Sequence, residues 1–115
     1  MRFMIMTFST EHDVKAKPPE WAERVASSMA KLDDELATSG ELVYSEVLEF
    51  GEHGSLIDRH GGRHVGSLAG NHTPLARFWV VRCDEARAEE IATGIAQTVE
   101  SAVEVRRVLE GFQRP

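Results

Sequence analysis

Two segments of the chain carry apolar side chains on both faces of any strand that they could form. They are residues 2–9 (RFMIMTFS) and residues 76–83 (ARFWVVRC), and the second is rich in aromatic and β-branched residues. Strands of this kind lie inside a sheet whose two faces are both covered. The chain must therefore build a sheet around these two segments and bury both of its sides.

Two amphipathic helices are predicted to accompany these strands. The first begins at the prolines of PPEW, because proline fits the first turn of a helix, and it ends at Gly40. Its apolar stripe is formed by Trp21, Val25, Met29, Leu32 and Leu36. The second helix follows Asp84, a favourable N-cap residue. Its apolar stripe is formed by Ala88, Ile91, Ala92, Ile95 and Val99.

The remaining segments complete a single α+β domain over residues 1–115. Residues 41–50 are predicted to form a second strand, residues 102–110 the last strand, and residues 10–17 a polar connection. Residues 56–67 fit a hairpin with Gly61-Gly62 at its tip, since a two-residue primed turn needs positive φ. The order β-α-β-hairpin-β-α-β is the ferredoxin-like split βαβ arrangement with an antiparallel sheet.

In this arrangement both helices cover one face of the sheet and leave the other face open. The open face would be more apolar than the surface of a monomer usually is, because both long strands are apolar on both sides. Two-fold association with a second copy is the simplest way to cover it. We therefore expect a homodimer that packs sheet face against sheet face, a dimeric α+β barrel.

Composition limits the possible partners and compartment. The formal net charge of −6 disfavours nucleic acid and anionic membranes, which need a basic surface. No apolar run is long enough to span a membrane, and the N-terminus lacks the features of a signal peptide. The single cysteine, Cys83, lies in an apolar segment and is expected to be a reduced core thiol. A cytoplasmic location is expected.

Several segments resemble the YCII-related, or DGPF-domain, family. They are MRFMIMTFS at the start, ELATSGELVYSEVL, IDRHGGRHV, LARFWVVRCDEARAEEIA and AVEVRRVLE, which together cover essentially the whole chain. The resemblance implies a dimeric α+β barrel. Relatives of the DGPF type are associated with extracytoplasmic-function sigma factors, which implies a protein-interaction role as an alternative to catalysis.

The chain departs from the family at the positions that carry its name and its chemistry. Residues 65–68 are Val-Gly-Ser-Leu where the family has Asp-Gly-Pro-Phe, and His72 lies near the position of a family lysine. YCII-type enzymes place a histidine in the first helix and pair it with an aspartate. The first predicted helix here contains no histidine, so this dyad does not carry over.

Glu46 and His72 are the candidate catalytic residues. Glu46 interrupts an apolar strand face, and a carboxylate buried there needs a partner or stays protonated. Histidine titrates near neutral pH, and His72 precedes the strongest predicted strand. The alternative for Glu46 is structural, either exposure near a sheet edge or an ion pair with one of three arginines, Arg77, Arg106 or Arg107.

Four further residues are candidate ligand contacts, and no metal site or cofactor is predicted. The ligand contacts are Tyr44, Trp79, Arg77 and His12. His60 and His64 flank the predicted hairpin tip, where a metal held between them, with His72 or Asp58 as further ligands, is the alternative to a solvated hairpin shoulder. The shoulder is favoured, because ligand pairs four residues apart converge on a helix. No glycine-rich phosphate loop is present. The expected function is the binding, or cofactor-free acid–base conversion, of a small molecule. The alternative is a non-catalytic protein-interaction or regulatory module.

Overall fold

The fold is built on a four-stranded antiparallel sheet with helices packed on one face, and a computed structural model describes residues 1–70 and 72–111. In chain order the described elements are β1 (Arg2–Phe8), α1 (Glu11–Ala16), α2 (Pro19–Ser39), β2 (Leu42–Val47), a 3-10 turn (Gly51–His53), β3 (Ser55–Ile57), β4 (Arg63–Val65), β5 (Leu75–Arg82), α3 (Glu85–Val99) and β6 (Val103–Arg107). Residue 71 and residues 112–115 lie outside the described residues.

The sheet has the strand order β2-β5-β1-β6, and every neighbouring pair is antiparallel. The two strands that are apolar on both faces, β1 and β5, therefore lie at its centre, as their composition predicts. The order places β5 between β1 and β2, an arrangement compatible with the ferredoxin-like split βαβ topology. The prediction of an α+β domain with an antiparallel sheet is confirmed.

The core lies between the sheet and the helices α2 and α3. Its sheet side is formed by one face of the central strands, and its largest fully buried side chain is Trp79 of β5. The predicted helix stripes supply the other side, with Met29 and Leu36 buried in α2. In α3 the buried residues are Ala88, Ile91, Ala92 and Ile95.

Both predicted ends of α2 and the predicted start of α3 are confirmed. Pro18 and Pro19 begin α2, and Gly40 ends it in the left-handed conformation at φ 79°. The side chain of Asp84 caps α3 by accepting a hydrogen bond from the backbone N–H of Arg87 at 2.8 Å. These local signals determine where the helices lie relative to the strands.

The polar connection predicted over residues 10–17 is wrong, because most of it is the short helix α1. Thr10 caps this helix by accepting a hydrogen bond from the backbone N–H of Asp13 at 3.0 Å. None of the residues of α1 is buried, so its sequence has no apolar stripe of the kind that indicates a helix packed on a core. A pattern of apolar residues could not have revealed it.

The predicted hairpin is present, but its turn differs from the predicted one. Strands β3 and β4 are joined by a five-residue loop, and only Gly61 of the two glycines has positive φ. The carboxylate of Asp58 organises the loop, accepting hydrogen bonds from the backbone N–H groups of His60 and Gly62. A Cβ atom at Gly62 would lie 2.5 Å from Oδ2 of Asp58, so this close approach explains the second glycine.

The second face of the sheet is left uncovered in the single chain. Met4, Phe78 and Val80 lie there, partly exposed, and Tyr44 on β2 is 49 % exposed. The chain measures 44 × 43 × 19 Å, and its radius of gyration is 15.6 Å against about 13 Å for a compact domain of this length. The flat shape follows from a sheet that carries helices on only one side.

Candidate functional site

A cleft of about 1080 Å³ opens between the helices and one end of the sheet. Its sheet wall includes the end of β1 and the start of β5, and its helix wall includes the first half of α2. The segment that follows β2, the helix α1 and the end of α3 complete its rim. Clefts of this size with mainly apolar walls and a few polar groups are the usual sites for small ligands.

The sheet wall presents an arginine held in place by a carboxylate and an indole ring. Nη2 of Arg77 donates a hydrogen bond to Oδ2 of Asp33 at 2.8 Å, and Nε1 of Trp79 donates to Oδ1 at 2.7 Å. The guanidinium carbon also lies 4.7 Å from the centroid of the Trp79 ring, a cation–π contact. One aspartate of α2 therefore orients two side chains of β5.

Two buried N–H groups of cleft-lining residues have no hydrogen-bond partner among the described residues. They are Nε1 of Trp21, on α2, and Nε of Arg77, on β5. Buried polar groups in proteins are nearly always paired, because an unpaired one costs about 1–3 kcal/mol. The two donors lie on the two different layers that form the cleft.

A histidine–carboxylate pair lies at the mouth of the cleft. Nε2 of His53, in the 3-10 turn, forms a hydrogen bond with Oε2 of Glu11 in α1. Nζ of Lys15 donates to Oε1 of the same carboxylate at 2.7 Å, and the side chain of Glu52 accepts from the backbone N–H of Glu11 at 2.8 Å. These contacts join α1 to the segment after β2 and hold the imidazole in one orientation.

The pair is electrostatically coupled. The hydrogen bond from Lys15, and then the one from His53, lowers the pKa of the Glu11 carboxyl below its ordinary value. The hydrogen bond with Glu11 raises the pKa of the His53 imidazole. The two shifts agree with a carboxylate that stabilises the protonated form of its neighbouring imidazole.

The predicted site residues lie on different faces of the sheet. Trp79 faces the helices and is fully buried, and Arg77 lies on the same face. Glu46 pairs with Phe78, and Tyr44 contacts the Phe78 ring at 5.5 Å, so both belong to the uncovered face. In the single chain Tyr44 and Glu46 therefore lie on the opposite face of the sheet from Trp79, because neighbouring residues of a strand point to opposite faces.

Glu46 and the two remaining predicted residues are exposed. Glu46 lies on the edge strand β2 and has no ion pair with any described residue, which matches the structural alternative of exposure near an edge. His72 lies in the loop before β5, outside the cleft. His12 lies on α1, in a shallow depression next to the cleft that it shares with Glu11 and His53.

His64 and the cysteine have structural surroundings. Nε2 of His64 lies 3.0 Å from Oδ2 of Asp58, so this side chain reinforces the hairpin loop. Burial raises the pKa of the Cys83 thiol, which keeps it protonated and unreactive. Within residues 1–70 and 72–111, no group of three or more histidine, cysteine or acidic side chains could hold a metal ion.

Comparison with known proteins does not assign the chain. No family model matches its sequence, and no curated protein is significantly similar to it. Across the described part of the chain, no helix is both long and apolar enough to cross a membrane.

Sequence reasoning did not find Asp33, His53 or Glu11. Asp33 adjoins the apolar stripe of α2 next to a second aspartate, and nothing local distinguishes the two. His53 and Glu11 are separated by 42 positions in the chain, and the helix that carries Glu11 was predicted as a loop. Only the acidic first turn after Thr10, an N-cap residue type, could have indicated that helix.

Proposed function

We propose that this protein is a YCII-related domain that binds a small molecule in the cleft between its helices and sheet, and converts it by proton transfer without a cofactor. The observation that carries the proposal is the cleft itself. It is bounded by both layers of the fold, it contains an oriented arginine, and a histidine–carboxylate pair lies at its mouth.

His53 is the proposed proton-transfer residue, and Glu11 is its positioning residue. Because Nε2 of His53 is bonded to Glu11, we assign the proton transfer to the other ring nitrogen, Nδ1. A neutral imidazole whose N–H is bonded to a carboxylate is a stronger base, since the carboxylate stabilises the imidazolium that forms. The roles predicted for Glu46 and His72 stay predictions, and in a single chain neither residue reaches this cleft.

The reaction proposed is removal of a proton from a carbon atom next to a carbonyl group. The proton passes to Nδ1 of His53, and the electron pair of the C–H bond moves to the carbonyl oxygen to give an enolate. Return of the proton to the same or another carbon completes an exchange or an isomerisation. No oxidant, metal or nucleotide enters this balance.

Blocking the cleft tests ligand binding. A screen of small molecules by thermal shift should give compounds that stabilise the wild-type protein. Ala26 of α2 lines the cleft and Ala30, one turn later, does not. Ala26→Trp should weaken binding of these compounds by about tenfold or more, which corresponds to a clash of about 1.4 kcal/mol. Ala30→Trp is the matched control and should bind them normally.

Deuterium exchange tests the chemistry. Carbonyl compounds that bind the cleft should exchange a C–H proton in D₂O, followed by ¹H NMR, faster with the protein than without it. His53→Gln should remove this acceleration, while the exposed His12→Gln, on the neighbouring helix, should retain it. Equal rates for the wild type and His53→Gln would show that another group transfers the proton.

The same proposal includes a homodimer formed through the uncovered sheet face. Val65 at the end of β4 and Leu68 in the turn that follows are also exposed apolar side chains, at 82 % and 89 %. Apolar surface of this extent favours association with a second copy. Light scattering at micromolar concentration should give about twice the chain mass of 12.8 kDa.

The exposed hairpin is also the observation that favours the alternative, a protein-interaction module. A mass of one chain in solution would leave the apolar face available to a different protein and would support this alternative. A dimer in which the backbone amides of β3 and β4 exchange hydrogen as fast as in the dissociated chain would leave the hairpin uncovered and would support it as well.

A further inference from the structure

The uncovered face of the sheet is apolar in its middle and carries opposite charges at its two ends. We propose that this order of charges decides how two copies pair, with the acidic end of one copy against the basic end of the other. The two copies are then related by a two-fold axis that runs across the strands. This inference rests on the homodimer of the proposed function, since it specifies which residues of the two copies meet.

Strand register defines the rows of residues on this face. Side chains at alternate positions of a strand share a face, and Ile5 of β1 is buried against the helices, so Met4 lies on the uncovered side. Met4 pairs directly with Val80 of β5, and these two residues form the middle row. Tyr44 on β2 and Arg106 on β6 end this row at the two edges of the sheet.

The acidic end of the face is formed by Glu46 and Glu104. They lie on the two edge strands, β2 and β6, in the row where Met6 pairs with Phe78. Both glutamates are exposed, and neither forms an ion pair with another described residue. Their carboxylates are therefore available to cations of a second molecule.

The basic end of the face is formed by Arg2 and Arg82. These residues are direct partners on the central strands β1 and β5, about 13 Å along β1 from the acidic row. Neither forms an ion pair within the described part of the chain. Like charges directly opposite one another in a sheet are destabilising, so an anionic group placed over the two arginines stabilises this end. The acidic end of a second copy supplies such groups.

The charges select between the possible orientations of that copy. Sheets packed face to face keep their strands within about 30° of each other or cross at about 90°. In the aligned class, a two-fold axis along the strands brings like ends together, whereas an axis across the strands brings each acidic end to a basic end. In the crossed class the axis runs along a diagonal of the face and places Glu46 or Glu104 against its own copy. Electrostatic complementarity therefore favours the axis across the strands.

The spacing of the sheets and strands allows these contacts. Facing sheets lie about 10 Å apart, which an arginine and a glutamate side chain span together, and neighbouring strands are about 4.8 Å apart. Glu46 lies one strand away from Arg82 of the second copy in this orientation. Glu104 lies one strand away from Arg2 of the second copy in the same way. Arg106 lies near the axis at the exposed edge of β6, where solvent screens it from its own copy.

Neutral substitutions at the acidic end distinguish the orientations. Glu46→Gln combined with Glu104→Gln removes both charges and nearly preserves the size of the side chains. In the proposed orientation each copy loses two ion pairs, so the dissociation constant of the dimer should rise about tenfold in sedimentation analysis. If like ends met, the same double variant would remove repulsion and the dissociation constant would fall.

Glu23→Gln combined with Glu89→Gln is the matched control. It removes the same charge from exposed positions of α2 and α3, which lie on the other side of the sheet, and it should dimerise as the wild type does. Salt gives a second readout without any substitution at the arginines. Raising the ionic strength from about 0.05 M to about 0.5 M should weaken the wild-type dimer, because it screens the ion pairs, and should change the Glu46→Gln, Glu104→Gln dimer much less.

Charge reversal shows whether the two ends meet, and it separates a lost contact from a misfolded variant. Glu46→Arg combined with Glu104→Arg should be monomeric, and so should Arg2→Glu combined with Arg82→Glu. An equimolar mixture of the two double variants should form a heterodimer, because each then faces the opposite charge. Failure of this mixture to associate, although both variants are folded by circular dichroism, would contradict the proposed contacts.

Two further results would overturn the inference in different ways. An unchanged or lower dissociation constant in the Glu46→Gln, Glu104→Gln variant would overturn the charge-selected orientation and leave the homodimer in place. A wild-type protein that is monomeric at micromolar concentration would overturn the homodimer as well, and the face would then be available to a different protein.

Discussion

Asp33→Ala is the substitution that most directly tests how the cleft is built. Asp33 is the shared acceptor of two β5 side chains, with Nη2 of Arg77 at 2.8 Å and Nε1 of Trp79 at 2.7 Å. No other described residue accepts a hydrogen bond from the Trp79 indole. The substitution therefore removes the acceptor of a fully buried donor and the partner of a partly buried cation.

The expected loss of stability follows from these two contacts. Trp79 is fully buried, so its orphaned N–H costs about 1–3 kcal/mol. The side chains of Arg77 and Asp33 are 21 % and 27 % exposed, so solvent screening limits their ion pair to about 1 kcal/mol. The free energy of unfolding should fall by about 2–4 kcal/mol, a large part of the roughly 5–15 kcal/mol typical of a domain.

Urea unfolding followed by tryptophan fluorescence measures this loss, and Asp34→Ala is the matched control. Asp34 is exposed on the same helix, so both substitutions change helix propensity alike and their difference isolates the contacts. Asp33→Asn keeps an oxygen acceptor for the indole but no charge, so it should lose only the roughly 1 kcal/mol of the ion pair.

Two results would refute this reasoning. If Asp33→Ala and Asp34→Ala agree within about 0.5 kcal/mol, the shared carboxylate does not hold β5 and α2 together. If Asp33→Asn is as unstable as Asp33→Ala, the ion pair rather than the buried indole bond dominates.

Three further predictions concern local features of the fold. Glu100 ends α3 with φ 59°, a conformation that favours glycine, and its side chain also pairs with Arg24 at 3.1 Å. Since Glu100→Gly and Glu100→Ala both remove this ion pair, the glycine variant should be more stable than the alanine variant by about 0.5–1 kcal/mol in urea titrations, and equal stabilities would contradict the strain. Asp84→Ala removes the hydrogen-bond acceptor of the backbone N–H of Arg87 and should lower the free energy of unfolding by about 1 kcal/mol. Hydrogen exchange should show faster exchange in the first turn of α3, and unchanged protection there would contradict the role of the cap. The pKa of His53 measured by NMR should lie above 6.5 and return towards it in Glu11→Gln. Because the pKa of His53 is raised in the folded state, the contact between His53 and Glu11 stabilises the protein below pH 6.5, and this contribution is lost as the pH rises through the folded pKa. An identical His53 titration in the wild type and in Glu11→Gln would contradict the pairing.

The sequence by itself determined the four strands of the sheet, the two long helices and their order. Strands that are apolar on both faces had to lie at the centre of a sheet, and β1 and β5 do. The prolines at 18 and 19, Gly40 and Asp84 located the helix ends, because capping depends on a few consecutive residues. Signals of this kind are local, so a single sequence contains them.

Only the tertiary structure decided which side chains meet. The face of the sheet that each residue occupies depends on strand register. Glu46 pairs with Phe78 and not with Trp79, so Glu46 and Trp79 lie on opposite faces. Contacts such as Asp33 with Trp79, or Glu11 with His53, join residues 46 and 42 positions apart. No periodicity encodes such pairs, because they arise from the packing of α2 on β5 and of α1 on the segment after β2. For the same reason His53, the proposed proton-transfer residue, was not among the candidates that the sequence offered.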